Sequence, residues 1–348
     1  MDVLTECPAC ATPVQAGDLF CEACGHELSA AAPAPQAVAV ERWLSDSDLA
    51  KTCSACGSSA FGGEGFCEGC GQRRQTAKDH TELDLGVVAG VTDRGNHHQR
   101  NEDAMAIAVA GRTIVGLVCD GVSSSTRPDA GSHAAVDAAM PAMLAALERG
   151  GNVKPPTGDA TQAAPGSAAW AAIGAGARAA QAAITLVAGP QPGPNPPSCT
   201  FVCAIVTPDA VTVGWVGDSR AYWLPDDGQP ERLVVDDSLA GRLAAQGVDA
   251  RVIAENPQGA ALVRWLGADA TDTDPHLHEF TPSGPGRVIV CSDGLHRYRQ
   301  AAADLAASTP AGSPLEIAQA LVRLALDAGG QDNVSVVLIP YPPSEGST

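Results

Sequence analysis

At 348 residues the chain is long enough for one large domain with small appendages, since domains commonly run ~100–200 residues, and it can bury a sizeable core. Hydrophobic residues make up 45% and charged residues 18%, which excludes a disordered polar chain, and a formal net charge of -19 repels a phosphate backbone, so no nucleic-acid partner is expected. The same excess of carboxylates suits divalent metals; no apolar run approaches the ~20 residues of a bilayer span and the opening Met-Asp-Val-Leu-Thr-Glu lacks the features of a signal peptide, so a cytoplasmic protein without membrane contact is expected.

The N-terminal part repeats itself. Cys7-Pro-Ala-Cys10 is followed after ten residues by Cys21-Glu-Ala-Cys24-Gly, and Cys53-Ser-Ala-Cys56-Gly is followed after ten by Cys67-Glu-Gly-Cys70-Gly. Four thiolates from two such knuckles suit one tetrahedral Zn²⁺, and the glycine after Cys24, Cys56 and Cys70 lets the backbone turn back toward sulfur through positive φ. Two structural zinc ribbons are therefore expected, at residues 1–28 and 51–76, each closed and without an open coordination position for catalysis. Redox-active or disulfide-paired cysteines are the competing reading, disfavoured where thiols stay reduced, and knuckles pairing across the two copies fit the spacing as well. The Ala/Pro-rich residues 29–50 and the short stretch 77–84 read as linkers.

From residue 85 to 341 the texture changes to short Val/Ile-rich runs with three helical stretches, followed by a tail at 342–348. Strands are expected at Gly86–Thr92, Ala104–Ala110, Thr113–Cys119, Thr200–Thr207, Val211–Val216, Ala221–Leu224, Arg287–Cys291 and Val334–Ile339. Helices are expected at Ser132–Arg149, Ser167–Val187 and Pro314–Ala328, with Pro/Gly loops at Gly151–Pro165 and Gly189–Pro197. Strand runs broken by long helices imply an α+β domain, antiparallel sheets with helices packed outside them. Cys119, Cys199, Cys203 and Cys291 sit in these apolar runs and read as small buried hydrophobes.

Acidic clusters flank the strands: Asn101-Glu102-Asp103, Cys119-Asp120-Gly121, Gly217-Asp218-Ser219-Arg220, Ser292-Asp293-Gly294 and Gln331-Asp332-Asn333. One Asp-Gly alone is a turn. Together, carboxylates at the ends of adjacent strands would converge on one sheet edge and repel one another unless cations lie between them, and oxygen-only ligation points to Mg²⁺ or Mn²⁺ rather than zinc.

In order and spacing, Thr92-Asp93-Arg94-Gly95, Asn101-Glu102-Asp103-Ala104, Val118-Cys119-Asp120-Gly121, Gly217-Asp218-Ser219-Arg220-Ala221-Tyr222, Cys291-Ser292-Asp293-Gly294-Leu295 and Gly330-Gln331-Asp332-Asn333-Val334 resemble the PPM, or type 2C, protein phosphatases in their bacterial branch. The resemblance covers about residues 85–340 and implies a sandwich of two antiparallel sheets flanked by helices, with a binuclear Mn²⁺/Mg²⁺ centre at one end. By motif it implies that Asp103, Asp120, Asp293 and Asp332 surround the two metals, that the Gly121 carbonyl is a backbone ligand, and that Asp218 serves a third, weaker metal shared with Asp293. It implies hydrolysis of phosphoserine and phosphothreonine in proteins, opposing Ser/Thr kinases, by a monomer acting on phosphoprotein substrates.

Three departures from the family pattern stand out. His98 occupies the place of the phosphate-gripping arginine, with Arg100 two residues on; in an extended segment His98, Arg100 and Glu102 share a side, so His98 and Arg100 are the two candidates for binding the phosphate, Arg100 the favoured one. Asp236-Asp237-Ser238 stands where Asp-His-Ser is usual, just before the variable flap at Leu239–Gln258. The glycine-rich turn is Asp120-Gly121-Val122-Ser123-Ser124, and the histidine that eukaryotic members use as general acid is absent. A reading from another class is a non-catalytic phosphoprotein-binding adaptor with zinc-ribbon interaction modules; the complete carboxylate set argues for the enzyme.

Overall fold

The computed structural model describes residues 12–13, 38–42, 51–53, 56–63, 65–74, 76, 78–150 and 167–343. The expected first ribbon, with Cys7, Cys10, Cys21 and Cys24, lies outside the described residues. The chain divides into two units, Met1–Ala37 and Val38–Thr348, and the second ribbon belongs to the latter.

In chain order the strands and helices are β1 (Val38–Arg42), β2 (His80–Asp84), β3 (Ala89–Asp93), β4 (Asp103–Ala110), β5 (Thr113–Asp120), α1 (Pro128–Gly150), α2 (Ala168–Ala188), β6 (Ser198–Cys199), β7 (Phe201–Val206) and β8 (Val211–Val216). They continue as β9 (Arg220–Pro225), β10 (Glu231–Arg232), α3 (Leu239–Ala245), α4 (Ala250–Ala254), β11 (Leu266–Gly267), β12 (His276–Phe280), β13 (Gly286–Cys291), α5 (Asp293–His296), α6 (Ala302–Ser308), α7 (Pro314–Asp327) and β14 (Val334–Tyr341). One sheet runs β1-β4-β5-β7-β8-β12 and the other β10-β9-β13-β14-β3-β2, with β11 and β6 forming a short pair. Every pairing within the two large sheets is antiparallel.

The period of two in each strand builds the layers. Met105, Ile107 and Val109 of β4 meet Val288, Val290, Val337 and Ile339 of the facing sheet. Their neighbours Ala104, Ala106 and Ala108 turn outward against Met140 and Met143 of α1 and Ile173 of α2. On the opposite outer face, Ile317, Leu321 and Val322 of α7 cover Val336, Leu338 and Ile289. The result is a helix-sheet-sheet-helix stack. Helix α7 starts where Ser313-Pro314-Leu315-Glu316 directs it to: Ser313 and Glu316 form a reciprocal capping box with proline in the first turn.

Cys119, Cys199, Cys203 and Cys291 are buried and free, and burial pushes the Cys291 thiol up to about 12, as suits small hydrophobes. Helix α2, with a mean hydropathy of 1.3 over its most apolar window, is long and apolar enough to cross a membrane by length and composition. That departs from the expectation of no such run; here its Ala172, Ile173, Ala177, Ala180 and Ile184 face is core.

Two stretches read as linker carry strands. Residues 38–42 pair with Arg42↔Ala106 through Val38↔Ala110 on the edge of β4, and residues 80–84 pair with β3. The second case has a simple cause: His80-Thr81-Glu82-Leu83-Asp84 alternates exposed and buried positions, so Thr81 and Leu83 face inward while polar neighbours face out. The sheets thus take in residues before 85.

Candidate metal centre

The antiparallel order brings the carboxylates together. Strand β4 begins at Asp103 and β5 ends at Asp120, and these two are register partners. Strand β9 starts just after Asp218, β13 ends just before Asp293, and β14 starts just after Asp332, so all five aspartates gather at one end of the sandwich. Asp120, Gly121, Asp218, Asp293 and Asp332 line one cavity of about 480 Å³.

Asp103, the register partner of Asp120, is 1% exposed. Its Oδ2 accepts from the hydroxyls of Ser292 at 2.7 Å and Ser335 at 2.8 Å. Its Oδ1 is buried with no hydrogen-bond partner. A buried carboxylate oxygen left unpaired is costly unless a cation serves it.

The electrostatics repeat that demand. Burial, then Asp332 and Asp293, push Asp103 up to about 7 against the pull of its serine partners. Burial and the charges of Asp103, Asp293, Asp218 and Asp332 hold Asp120 well above the ordinary carboxylate range. Asp218 rises to about 7 through burial, Asp293 and Asp236, and Asp293 to about 6 through burial and Asp332. Hard oxygen-binding cations fit this donor set, since they replace mutual repulsion by ligation.

Nearby side chains fix each carboxylate. The Asp120 amide donates to Thr200 Oγ1 at 3.0 Å, and that hydroxyl is 2.7 Å from Ser219 Oγ. His296 Nε2 lies 2.9 Å from the Asp218 carbonyl, and burial lowers this imidazole to about 3, so it donates as the neutral form. Gly294 admits no side chain, because a Cβ there would stand 2.0 Å from the Asn333 carbonyl. Asn333 Oδ1 accepts from the Glu102 amide at 2.8 Å while its Nδ2 donates to the carbonyls of Arg94 at 2.7 Å and Arg100 at 3.0 Å, pinning residues 94–102 beside Asp332.

That segment is a series of turns, not the extended run that would set His98, Arg100 and Glu102 on one side. They nonetheless line one second cavity of about 510 Å³, which shares Ser123 and Ser125 with the first. His98 Nε2 is 3.1 Å from Asp332 Oδ1, whereas Arg100, 58% exposed, pairs with Asp129 at 3.1 Å.

Arg297 escaped the sequence reading: its Nη2 donates to Asp293 Oδ2 and to Asp332 Oδ2, each at 3.0 Å. Its position four residues after Asp293 on a helical turn was the available signal. The departure at Asp237 also finds an account. Its Oδ2 accepts from the Gly217 amide at 3.0 Å and lies 3.2 Å from Arg264, and its Oδ1 lies 3.0 Å from His276. Asp237 thereby secures the turn before Asp218. The flap folds as α3 and α4, and Ala260, Ala261 and Leu262 just beyond them border the metal cavity.

In the second ribbon the sulfurs of Cys53, Cys56, Cys67 and Cys70 lie within 4.8 Å of one another. The knuckle glycines Gly57 and Gly71 take φ +71 and +75, the left-handed region, and their amides donate to the Cys53 and Cys67 carbonyls at 2.8 Å. Four converging thiols suit zinc.

The family model for protein phosphatase 2C matches residues 93–323, and the one for the double zinc ribbon matches residues 7–71. The chain belongs to the protein phosphatase 2C family. Among relatives, it is 28% identical over 251 residues to the serine/threonine protein phosphatase PstP of Mycobacterium tuberculosis, covering 72% of this chain and 44% of that protein. It is 30% identical over 158 residues to the serine/threonine phosphatase stp of Listeria innocua, covering 45% of this chain and 62% of the relative. The chain thus spans less than half the length of the mycobacterial relative. Solved structures of the same fold include Stp1 of Staphylococcus aureus, with a TM-score of 0.58 at 23% identity over 74% of this chain and 96% of that one. The phosphatase PstP/Ppp of Mycobacterium tuberculosis aligns with a TM-score of 0.51 at 26% identity over 72% and 96%. Within this protein phosphatase 2C fold, the aspartates singled out by motif are those gathered at one end of the sandwich.

Proposed function

We propose that this chain hydrolyses phosphoserine and phosphothreonine in proteins, at a binuclear Mn²⁺ or Mg²⁺ centre held by Asp120, the Gly121 carbonyl, Asp293 and Asp332. The observation that carries the reading is the convergence of these donors on one cavity, while Asp103, the register partner of Asp120, holds a buried, unpaired oxygen. The two cations would supply an activated water and neutralise charge on the phosphoryl oxygens. Asp103 adds its carboxylate to the set, and Asp218 with Asp293 offers a third, weaker cation site. Ser292 and Ser335 orient Asp103, while Asn333 holds residues 94–102 at the cavity rim. Substrates are phosphorylated proteins, which sets the activity against Ser/Thr kinases. The setting in this reading is cytoplasmic, and each ribbon takes one structural Zn²⁺ through its four cysteines.

Arg100 is the phosphate grip in this reading. A guanidinium can offer a phosphate two parallel charge-assisted bonds, and the exposed pairing of Arg100 with Asp129 is weak enough to exchange for them. Steady-state hydrolysis of a phosphothreonine peptide with Mn²⁺ tests both claims: the wild type should turn over, and Arg100→Ala should raise KM about tenfold, the order of one lost charge-assisted contact. His98→Ala should change KM little. No hydrolysis by the wild type would defeat the functional reading, and an unchanged KM in Arg100→Ala would remove the grip from that residue.

A further inference from the structure

The second zinc ribbon is joined to the loop at the metal cavity through one buried carboxylate. Asp79 is 2% exposed. Arg73 Nη2, from the ribbon, donates to its Oδ1 at 2.9 Å and its Oδ2 at 3.1 Å, and the Thr76 amide donates to Oδ2 at 2.7 Å. On its other side the Asp79 carbonyl accepts from the Arg94 amide at 2.8 Å, and Arg94 Nε stands 3.9 Å from Oδ1.

Both ends of this clasp are tied to metal sites. Arg73 is placed by the knuckle: Phe66 and Arg73 form a bridge, the Arg74 amide donates to the Gly65 carbonyl at 2.6 Å, and the Cys67 amide to the Gln72 carbonyl at 2.7 Å. Arg94 opens the loop that Asn333 pins, and the Asn96 amide within it donates to the Gly330 carbonyl at 2.7 Å. His98 of this loop meets Asp332 at 3.1 Å. A carboxylate this deeply buried needs its cation, so without Arg73 the Arg94 guanidinium, whose Nε stands 3.9 Å away, is drawn in on Asp79 and draws the loop with it.

We propose that Arg73 and Asp79 are positioning residues that make the second zinc ribbon a brace for residues 94–102, so that an intact ribbon sets the affinity for phosphoprotein substrate. The proposal rests on the hydrolytic reading given above. It also explains why the ribbon is packed as part of the same unit as the sheets. A ribbon that served only to bind other partners would need no ion pair with a buried carboxylate at the start of β2, beside Arg94.

The test uses the full chain with zinc bound, in Arg73→Gln and in the isosteric Asp79→Asn, both of which keep all the ribbon cysteines. Hydrogen exchange at the Arg94, Asn96 and Glu102 amides should quicken about tenfold, equivalent to about 1.4 kcal/mol of lost local stability, with the amides of β7 unchanged. KM for a phosphothreonine peptide should rise by about the same factor while kcat stays within about twofold, because the brace acts on binding geometry. Arg73→Lys, which keeps the charge, should recover most of the loop's protection. Unchanged loop exchange in both variants, an unchanged KM, or quickened exchange spread equally through β7 would overturn the proposal. The exchange readout needs no turnover: quickened loop exchange in a chain whose wild type hydrolyses nothing would overturn the hydrolytic reading and, with it, the assignment of the brace to substrate binding.

Discussion

Asp120→Asn and Asp293→Asn should each lower turnover of a phosphothreonine peptide by about 100-fold or more while leaving the chain folded. Each change keeps the shape of the side chain and removes one negative charge from the wall of the metal cavity. What is lost is a ligand. What is gained is relief, because Asp120 stands against burial and four neighbouring carboxylates, and Asp293 against burial and Asp332. The metal-free variants should therefore melt no lower than metal-free wild type at pH 7.5, and Mn²⁺ should stabilise them less than it stabilises the wild type. Activity within a few-fold of wild type in both variants would remove these residues from the centre. A lower melting point of the metal-free variants would contradict the electrostatic account of the cavity.

The metal-free chain should lose stability as pH rises from about 4 to about 7, the reverse of the usual behaviour of carboxylates engaged in salt bridges. Asp103 and Asp218 are pushed up to about 7 and Asp293 to about 6, against an ordinary value of 3.8 that the unfolded chain recovers. Between those limits the folded chain holds protons that the unfolded chain has released, so each raised group adds stability that is complete below the unfolded value and gone above the folded one. Each such proton contributes a slope of about 1.4 kcal/mol per pH unit, which sums to several kcal/mol over the window. Denaturant midpoints of the metal-free protein at pH 5 and pH 7.5 check this, with the higher midpoint expected at pH 5. Saturating Mn²⁺ at pH 7.5 should restore about 3 kcal/mol at a hundredfold excess over Kd, by mass action. A midpoint that rises with pH in the metal-free chain would mean that the carboxylates are not held in mutual repulsion.

Most of this centre was legible because the chemistry sits at the ends of apolar runs. Val118-Cys119-Asp120 and Val290-Cys291-Ser292-Asp293 declare both a buried strand and the carboxylate that leaves it, and antiparallel order does the rest. Less legible were elements whose sequence looks like solvent. His276–Phe280 forms the edge strand β12 with a polar, half-buried pattern, and residues 38–42 pair at the opposite edge, where local composition reads as tether.

Contacts between distant residues were invisible for a different reason. Arg297 reaches Asp332 across 35 residues and Ser335 reaches Asp103 across 232, distances that only the packed sandwich closes. The same holds for Arg73 and Asp79, six residues apart, where the spacing is short but burial of the carboxylate depends on where the ribbon rests. His98 and Arg100 illustrate how a local rule misleads. An extended backbone would have aligned them, but the hydrogen bonds of Asn333 hold residues 94–102 in turns and send one side chain to Asp332 and the other to Asp129.

The central claim is that cations in the aspartate cavity make water the nucleophile toward a phosphorylated serine or threonine. The most direct measurement adds Mn²⁺ to the full chain freed of Mn²⁺ and Mg²⁺, with a phosphothreonine peptide in ¹⁸O-labelled water, and follows the phosphate released. The account predicts no release before the metal is added and, afterwards, phosphate carrying one solvent oxygen per molecule. Hydrolysis that proceeds without the metal, or released phosphate lacking the label, would contradict it.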